Sequence, residues 1–217
     1  MRRTYHRLIT AQALKEFLSP QALEAVITAN LGQDHWLRGQ IGHPEYHFDQ
    51  NAFVQGREYI ERNRLAVRTA LSVGEPASAR AALGRLTHAA QDFYAHSNYI
   101  PRWLSRFPNG QWPPLDEVNP FDESLLDAGE LRSGKIYWPL EPFSWIPGLG
   151  RLFVPFLPPD SHAWMNLDSP ARGLAFDYAF SAACKRTRYE YELTMEGLPT
   201  VQVTALCMSQ NQHTHAV

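Results

Sequence analysis

Between Leu83 and Tyr99 runs the stretch that most limits how this chain can fold: Leu-Gly-Arg-Leu-Thr-His88-Ala-Ala-Gln-Asp92-Phe-Tyr-Ala-His96-Ser-Asn-Tyr. Its Ala and Leu content and its freedom from internal Pro predict a helix. Successive residues then turn by about 100°, so His88, Asp92 and His96 fall within about 80° of one another. A lone His on such a face is more often a hydrogen-bonded core residue than a ligand. Three ligand-type side chains on consecutive turns point instead to a divalent ion such as zinc, for which a rigid scaffold of N and O donors sets the geometry in advance. The carboxylate between two imidazoles is also placed to bridge two ions.

At 217 residues the chain can bury one sizeable core, and a single domain is the default expectation. Hydrophobic residues at 44% and charged residues at 19% fit a globular protein rather than a disordered one. A net charge of −2 gives no general attraction to nucleic acid or anionic lipid. Cys184 and Cys207 are the two cysteines, too few for a disulfide framework or a cysteine zinc site, so any metal must use the nine His together with Asp and Glu. No signal peptide is visible in Met-Arg-Arg-Thr-Tyr-His6, which leaves cytosolic residence and signal-less export both open. The longest apolar run, Trp145 to Leu157, is broken by Pro147, Gly148, Gly150, Arg151 and Pro155 and cannot span a bilayer.

Apolar spacing predicts a helix over Tyr5–Leu18, and Ser19-Pro20 reads as an N-cap and first-turn proline for a second helix to Asn30. A loop rich in potential ligands follows at His43, Glu45, His47 and Asp49. A long amphipathic helix is expected over 51–72, and Pro76 opens the central helix, which is expected to stop at Pro101. Residues 101–168 are Pro- and aromatic-rich with little periodicity, an insertion that reads as a cover over the helices or as a functional lid. A last helix is expected from Ser169-Pro170 to about Leu193. The expected organisation is one all-α domain over 1–200, carrying the irregular insertion at 101–168, followed by a polar tail at 201–217.

Taken in order, Tyr5-His6-Arg-Leu-Ile-Thr10, Asn30-Leu-Gly-Gln-Asp34, His47-Phe-Asp49, the His88-Ala-Ala-Gln-Asp92-Phe-Tyr-Ala-His96-Ser-Asn98 block and Asn166-Leu-Asp168-Ser169 resemble the heterokaryon-incompatibility-C-like branch of the zinc-dependent phospholipase C and single-strand nuclease superfamily. The resemblance covers roughly residues 5–190, without much of the insertion. It implies a compact multi-helix fold and two to three zinc ions. One ion would take Asp34, His47, His88 and Asp92. Asp92 would bridge to a second at His6, whose occupancy is left open because no N-terminal Trp is present. A third would take His96 with later residues, for which His162, Asp168 and Asp177 are the candidates. His43, Glu45 and Asp49 are assigned to orienting roles, and Ser97 and Asn98 to the helix end.

The activity so implied is phosphodiester hydrolysis by metal-activated water, with a phospholipase C acting on phosphatidylcholine-like lipids as the first expectation. Asp34 and Asp92 stand as the catalytic carboxylates, with Asp49 an alternative to Asp34. Trp145, Phe153 and Phe156 would form a substrate or lid surface, and segment 145–157 would touch phospholipid or a membrane surface, or join two copies as a homo-oligomer. Nucleic acid is not favoured as a partner. The alternatives are a nuclease or phosphatase of the same fold and a non-catalytic protein that keeps its metal only to hold the helices.

Overall fold

The computed structural model describes residues 1–35, 42–107, 110–126, 129–144, 146 and 150–208. Among them the fold is all-α, and extended chain pairs only in single bridges, Ser97 with Ser133 and Lys135 with Ser161. Helices α1 (Arg3–Leu14), α2 (Pro20–Gly32), α3 (Pro44–His47) and α4 (Phe53–Ser72) lead to α5 (Pro76–His96) and α6 (Tyr99–Leu104). Four short helices punctuate the insertion: α7 (Glu123–Leu126), α8 (Leu140–Ser144), α9 (Gly150–Phe153) and α10 (His162–Met165). The long α11 (Leu174–Met195) and α12 (Thr200–Cys207) complete the chain described.

α5 is the axis of the molecule, and α2, α4 and α11 pack around it. From Ala79 to His96 nearly every side chain is buried, which a helix achieves only when neighbours cover all its faces. Small residues make this possible. A Cβ at Gly84 would collide with the carbonyl of Val26, so α2 lies against α5 backbone to backbone. α2 begins as its sequence dictates, with Ser19 Oγ accepting from Ala22 N at 3.4 Å and Pro20 in the first turn.

Three elements differ from expectation. α5 ends at His96 rather than running to Pro101, because Ser97 turns extended and the last carbonyls are taken by the insertion: Leu167 N donates to Ala95 O at 2.7 Å and Gly134 N to His96 O at 3.0 Å. Pro170 opens only a single 3-10 turn, and Gly173, at φ 66, breaks it from α11. The segment expected to be a polar tail holds α12, with Leu206 fully buried and Arg80 of α5 donating to the carbonyls of Ala205 and Leu206, each at 2.8 Å, and to that of Met208. No helix among the described residues is long and apolar enough to cross a membrane.

Candidate metal centre

α5 delivers His88, Asp92 and His96 to one buried locus, as the helical spacing predicts. Asp92 is fully buried and stands at its centre. His47 Nδ1 lies 2.8 Å from its Oδ2, His88 Nε2 3.1 Å from the same atom, and His6 Nε2 3.1 Å from Oδ1. His6 comes from α1, Asp34 from just beyond α2, and His47 from the last turn of α3. Past His47 the chain reverses through Phe48, Gln50 and Asn51, all with positive φ, which turns Asp49 back toward the same locus. The insertion pins that reversal: Asn51 N donates to Ser133 Oγ at 2.8 Å, Ser133 N to Asn51 Oδ1 at 2.7 Å, and Gln50 N to Gly134 O at 2.8 Å.

Two ligand groups result. His6, Asp34, His88 and Asp92 can each offer one atom within 4.8 Å of all the others, and so can Asp49, His96 and His162. In the second group His162 Nδ1 is 3.0 Å from Asp49 Oδ1, and His96 Nδ1 is 3.3 Å from the same oxygen. Asp168 adjoins it, with Oδ1 at 3.2 Å from His96 Nε2. The amino group of Met1 is also buried here, paired with Asp92 and lying 3.1 Å from Asp168 Oδ1. In the first group His6 Nε2 and Asp34 Oδ2 are buried without a hydrogen-bond partner. Uncompensated buried polar atoms are costly and rare, and two within one set of imidazole and carboxylate donors are what a cation would satisfy. The residues therefore fit a divalent metal.

The electrostatics of the ion-free protein point the same way. Burial opposes charge on Asp92 and Asp168, yet the Met1 ammonium and the neighbouring imidazoles hold both carboxyls well below the usual carboxylate range. Asp49 is lowered likewise, by His162 and His96 against its burial. His96 and His47 are raised, with burial opposing their protonation and Asp92 and Asp49 outweighing it. His88 goes the other way: burial and the nearby His6 depress it to about 4, so it stays neutral and ready to ligate at neutral pH. Protons on the Met1 amino group, His47 and His96 thus balance the buried carboxylates.

Residues 4–104 match the VWA7 N-terminal domain family. Similar relatives are the von Willebrand factor A domain-containing protein 7 of Rattus norvegicus, 40% identical over 79 residues, and of Homo sapiens, 37% identical over 99 residues. The shared region is 36% of this chain and 9% of the rat protein, and 45% of this chain and 11% of the human one. The chain thus spans about a tenth of the length of the curated relatives it matches. No solved structure matches.

This similarity overturns the resemblance to the zinc-dependent phospholipase C and nuclease superfamily. The phospholipase C, nuclease and general hydrolase expectations fall with it. The physical reason is that His and Asp at helical spacing report affinity for a cation, a property unrelated families share, and do not report what is done with it. The all-α fold stands.

The structure gathers His6, Asp34, His47, His88, Asp92, His96, His162 and Asp168, and it leaves Asp177 out. Asp177 is exposed on the first turn of α11, whose buried face there is carried by Phe176 and Ala179. Asp49, read as an orienting group, lies in one group with His96 and His162. His43 pairs with Glu45 at 3.2 Å and stacks on Tyr46, apart from the cluster. Of the expected lid residues, Phe153 is half-buried against Phe143, Phe156 is 77% exposed, and Trp145 lies outside the described residues. Sequence reasoning missed Gln91 and Asn30, fully buried polar residues that contact His6 and His88. Their signal was present: Gln91 lies three residues from His88 and one from Asp92, on the inner side of the same helix.

Proposed function

We propose that this chain is a metal-binding helical module, in which divalent transition-metal ions tie α1, α2, α5 and the insertion together. The observation that carries this reading is the pair of buried, unpartnered atoms, His6 Nε2 and Asp34 Oδ2, inside a group of four ligand-type residues. Imidazole and carboxylate donors suit Zn²⁺ and its neighbours. His6, Asp34, His88 and Asp92 would hold one ion, and Asp49, His96 and His162, with Asp168 beside them, a second. Bound there, the ions supply positive charge that the ion-free protein draws from protons, and they join segments far apart in sequence. The test is elemental analysis of the purified chain, followed by thermal melting with and without a chelator. One to two ions per chain are expected, with a melting temperature that falls on chelation and returns with Zn²⁺. An ion binding the folded chain at about 1,000 times its Kd contributes about 4 kcal/mol. A metal-free preparation whose melting is indifferent to Zn²⁺ overturns the reading.

A second proposal concerns the insertion, where Trp138 is 79% exposed, Phe156 77% and Leu152 63%. Apolar side chains this exposed suit contact with a membrane surface. The insertion also contributes Ser144, Val154, Pro155, His162 and Asp168 to the lining of a cleft of about 590 Å³. Co-sedimentation with phosphatidylcholine vesicles is expected, weakened several-fold by Phe156→Ser. Self-association without vesicle binding overturns it.

A further inference from the structure

Gln91 and Thr187 belong to a chain of buried hydrogen bonds that ends on the ligand group, and the direction of each bond can be deduced. Thr187 Oγ1 donates to Ala183 O, one turn back on α11, at 2.8 Å. Its proton is thereby committed, so toward Gln91 it can only accept. The Gln91 amide nitrogen accordingly donates to Thr187 Oγ1 at 3.1 Å and to Thr10 Oγ1 at 2.9 Å. That choice turns the amide oxygen to His6, whose Nδ1 lies 2.6 Å away. An amide oxygen accepts and cannot donate, so His6 Nδ1 must carry the hydrogen. A neutral imidazole has one N–H, so Nε2 is left with its electron pair bare. Nε2 is the buried atom without a hydrogen-bond partner, 3.1 Å from Asp92 Oδ1 but out of line for an N–H donation to it.

A parallel arm runs through Asn30. Thr87 Oγ1 donates to Gly84 O at 3.0 Å, so the Asn30 amide nitrogen donates to Thr87 at 3.1 Å and to Gln91 Oε1 at 3.3 Å. Asn30 Oδ1 is then turned toward His88 Nδ1, 3.4 Å away. All four residues, Asn30, Thr87, Gln91 and Thr187, are fully buried, so water does not compete for these bonds. α5 thus carries two adjacent stripes, one of ligand-type residues at 88, 92 and 96 and one of orienting residues at 87 and 91.

We propose that Gln91, its amide oriented by Thr187 and Thr10, is a positioning residue that fixes His6 in the Nδ1–H tautomer and keeps Nε2 ready for a cation shared with Asp34, His88 and Asp92. The inference rests on the metal-binding reading above for its purpose, but the tautomer it assigns is a property of the ion-free chain. Without Gln91 the ring is free to move its hydrogen to Nε2, beside Asp92 Oδ1, and that hydrogen must then leave before an ion can bind. Partners of this kind are typically worth about 10–100-fold in metal affinity.

The experiment is nitrogen NMR of the full, chelator-treated chain labelled in its histidines, with the His6 signal assigned by its loss in His6→Gln, paired with Zn²⁺ titration against a competing chelator. The unmodified chain is expected to show the Nδ1–H tautomer at His6. Gln91→Leu is expected to show Nε2–H and to bind Zn²⁺ about 10–100-fold more weakly. Gln91→Glu, which keeps an oxygen acceptor at that place, is expected to restore the Nδ1–H signal. An Nε2–H tautomer in the unmodified chain overturns the inference alone, and this measurement holds even if Gln91→Leu fails to fold. A folded Gln91→Leu with unchanged affinity overturns it as well. Failure of the unmodified chain to take up Zn²⁺ overturns the metal-binding reading and takes this inference with it.

Discussion

Gly134 passes directly beside the backbone of His162: a Cβ at position 134 would lie 2.5 Å from His162 Cα and 3.0 Å from its N. The approach is part of how the insertion delivers its ligand. His162 N donates to Lys135 O at 2.8 Å, and Gly134 N to His96 O at 3.0 Å, so one strand of chain touches both imidazole-bearing residues. Gly134→Ala must push His162 off Asp49 and His96. The expected outcome is loss of about one ion per chain by elemental analysis, with the helical circular dichroism signal unchanged. Full retention of metal would show that His162 is not a ligand.

Asp92 gathers His6, His47, His88 and the Met1 amino group around one buried carboxylate. Asp92→Asn keeps the shape and removes the charge, leaving the Met1 ammonium and the His47 imidazole, both raised by Asp92, without their counter-charge in a buried site. Removing one partner of a buried pair costs about 3–5 kcal/mol. Urea unfolding of the ion-free variant is expected to show a loss of that order, and Zn²⁺ binding should fall by more than the roughly 100-fold typical of an outer partner. Equal stability and affinity in the variant would remove Asp92 from the centre.

Much of the scaffold was legible because its signals are local. Ser19-Pro20 marks the start of α2, and Ala, Leu and ligand spacing mark α5 with its face of His88, Asp92 and His96. What escaped was set by distant chain. The stop at His96 depends on Gly134 and Leu167 taking the last carbonyls, and nothing between 83 and 101 announces that. Residues 200–207 have no charged side chain and little periodicity, yet they fold as α12 because Arg80, far away in sequence, holds their carbonyls. Asp49 reaches the cluster through a loop, as does Asp168, already a candidate from the sequence, while Asp177 faces outward. Activity escaped for a different reason, since the spacing of donor side chains is silent on the use made of them.

The ion-free protein should be most stable near about pH 6.5, with stability falling on both sides. His88 is depressed to about 4 from 6.5, so between those values the unfolded chain binds the extra proton, and stability drops as pH falls. Below 3.8 the lowered Asp49, Asp92 and Asp168 continue the loss, because unfolding lets them protonate. His47 and His96 act oppositely. Raised above 6.5, they hold their protons more tightly when folded, so their contribution is complete below 6.5 and lost as pH climbs through the raised values. The Met1 amino group, raised from 8.0 to about 11 because Asp168, Asp92 and Asp34 outweigh its burial, extends that loss at higher pH. Metal loading replaces protons by an ion and should move the optimum upward. Urea midpoints across pH, with and without Zn²⁺, check both statements, and a common optimum for the two forms would contradict the exchange of protons for metal.

Arg80 offers the control that separates scaffold from site. Its guanidinium is buried between α5 and the end of α12, where Nε and one terminal nitrogen donate to three carbonyls that no further helical turn satisfies. Arg80→Ala strands those carbonyls and removes a charge placed favourably at a helix C-terminus. Bonds to a charged donor are each worth about 1.5–3 kcal/mol, and water reaching the freed carbonyls recovers part of that, so a loss of about 2 kcal/mol is expected. Arg80 precedes His88 by two turns of α5 and contacts none of the ligand group, so the ion content of the folded variant should equal that of the unmodified chain. Proteolysis should open first around residues 200–208. If metal were lost together with α12, the two ends of α5 would be coupled, and the centre could not be treated as a unit set by α1, α2, α3 and the insertion.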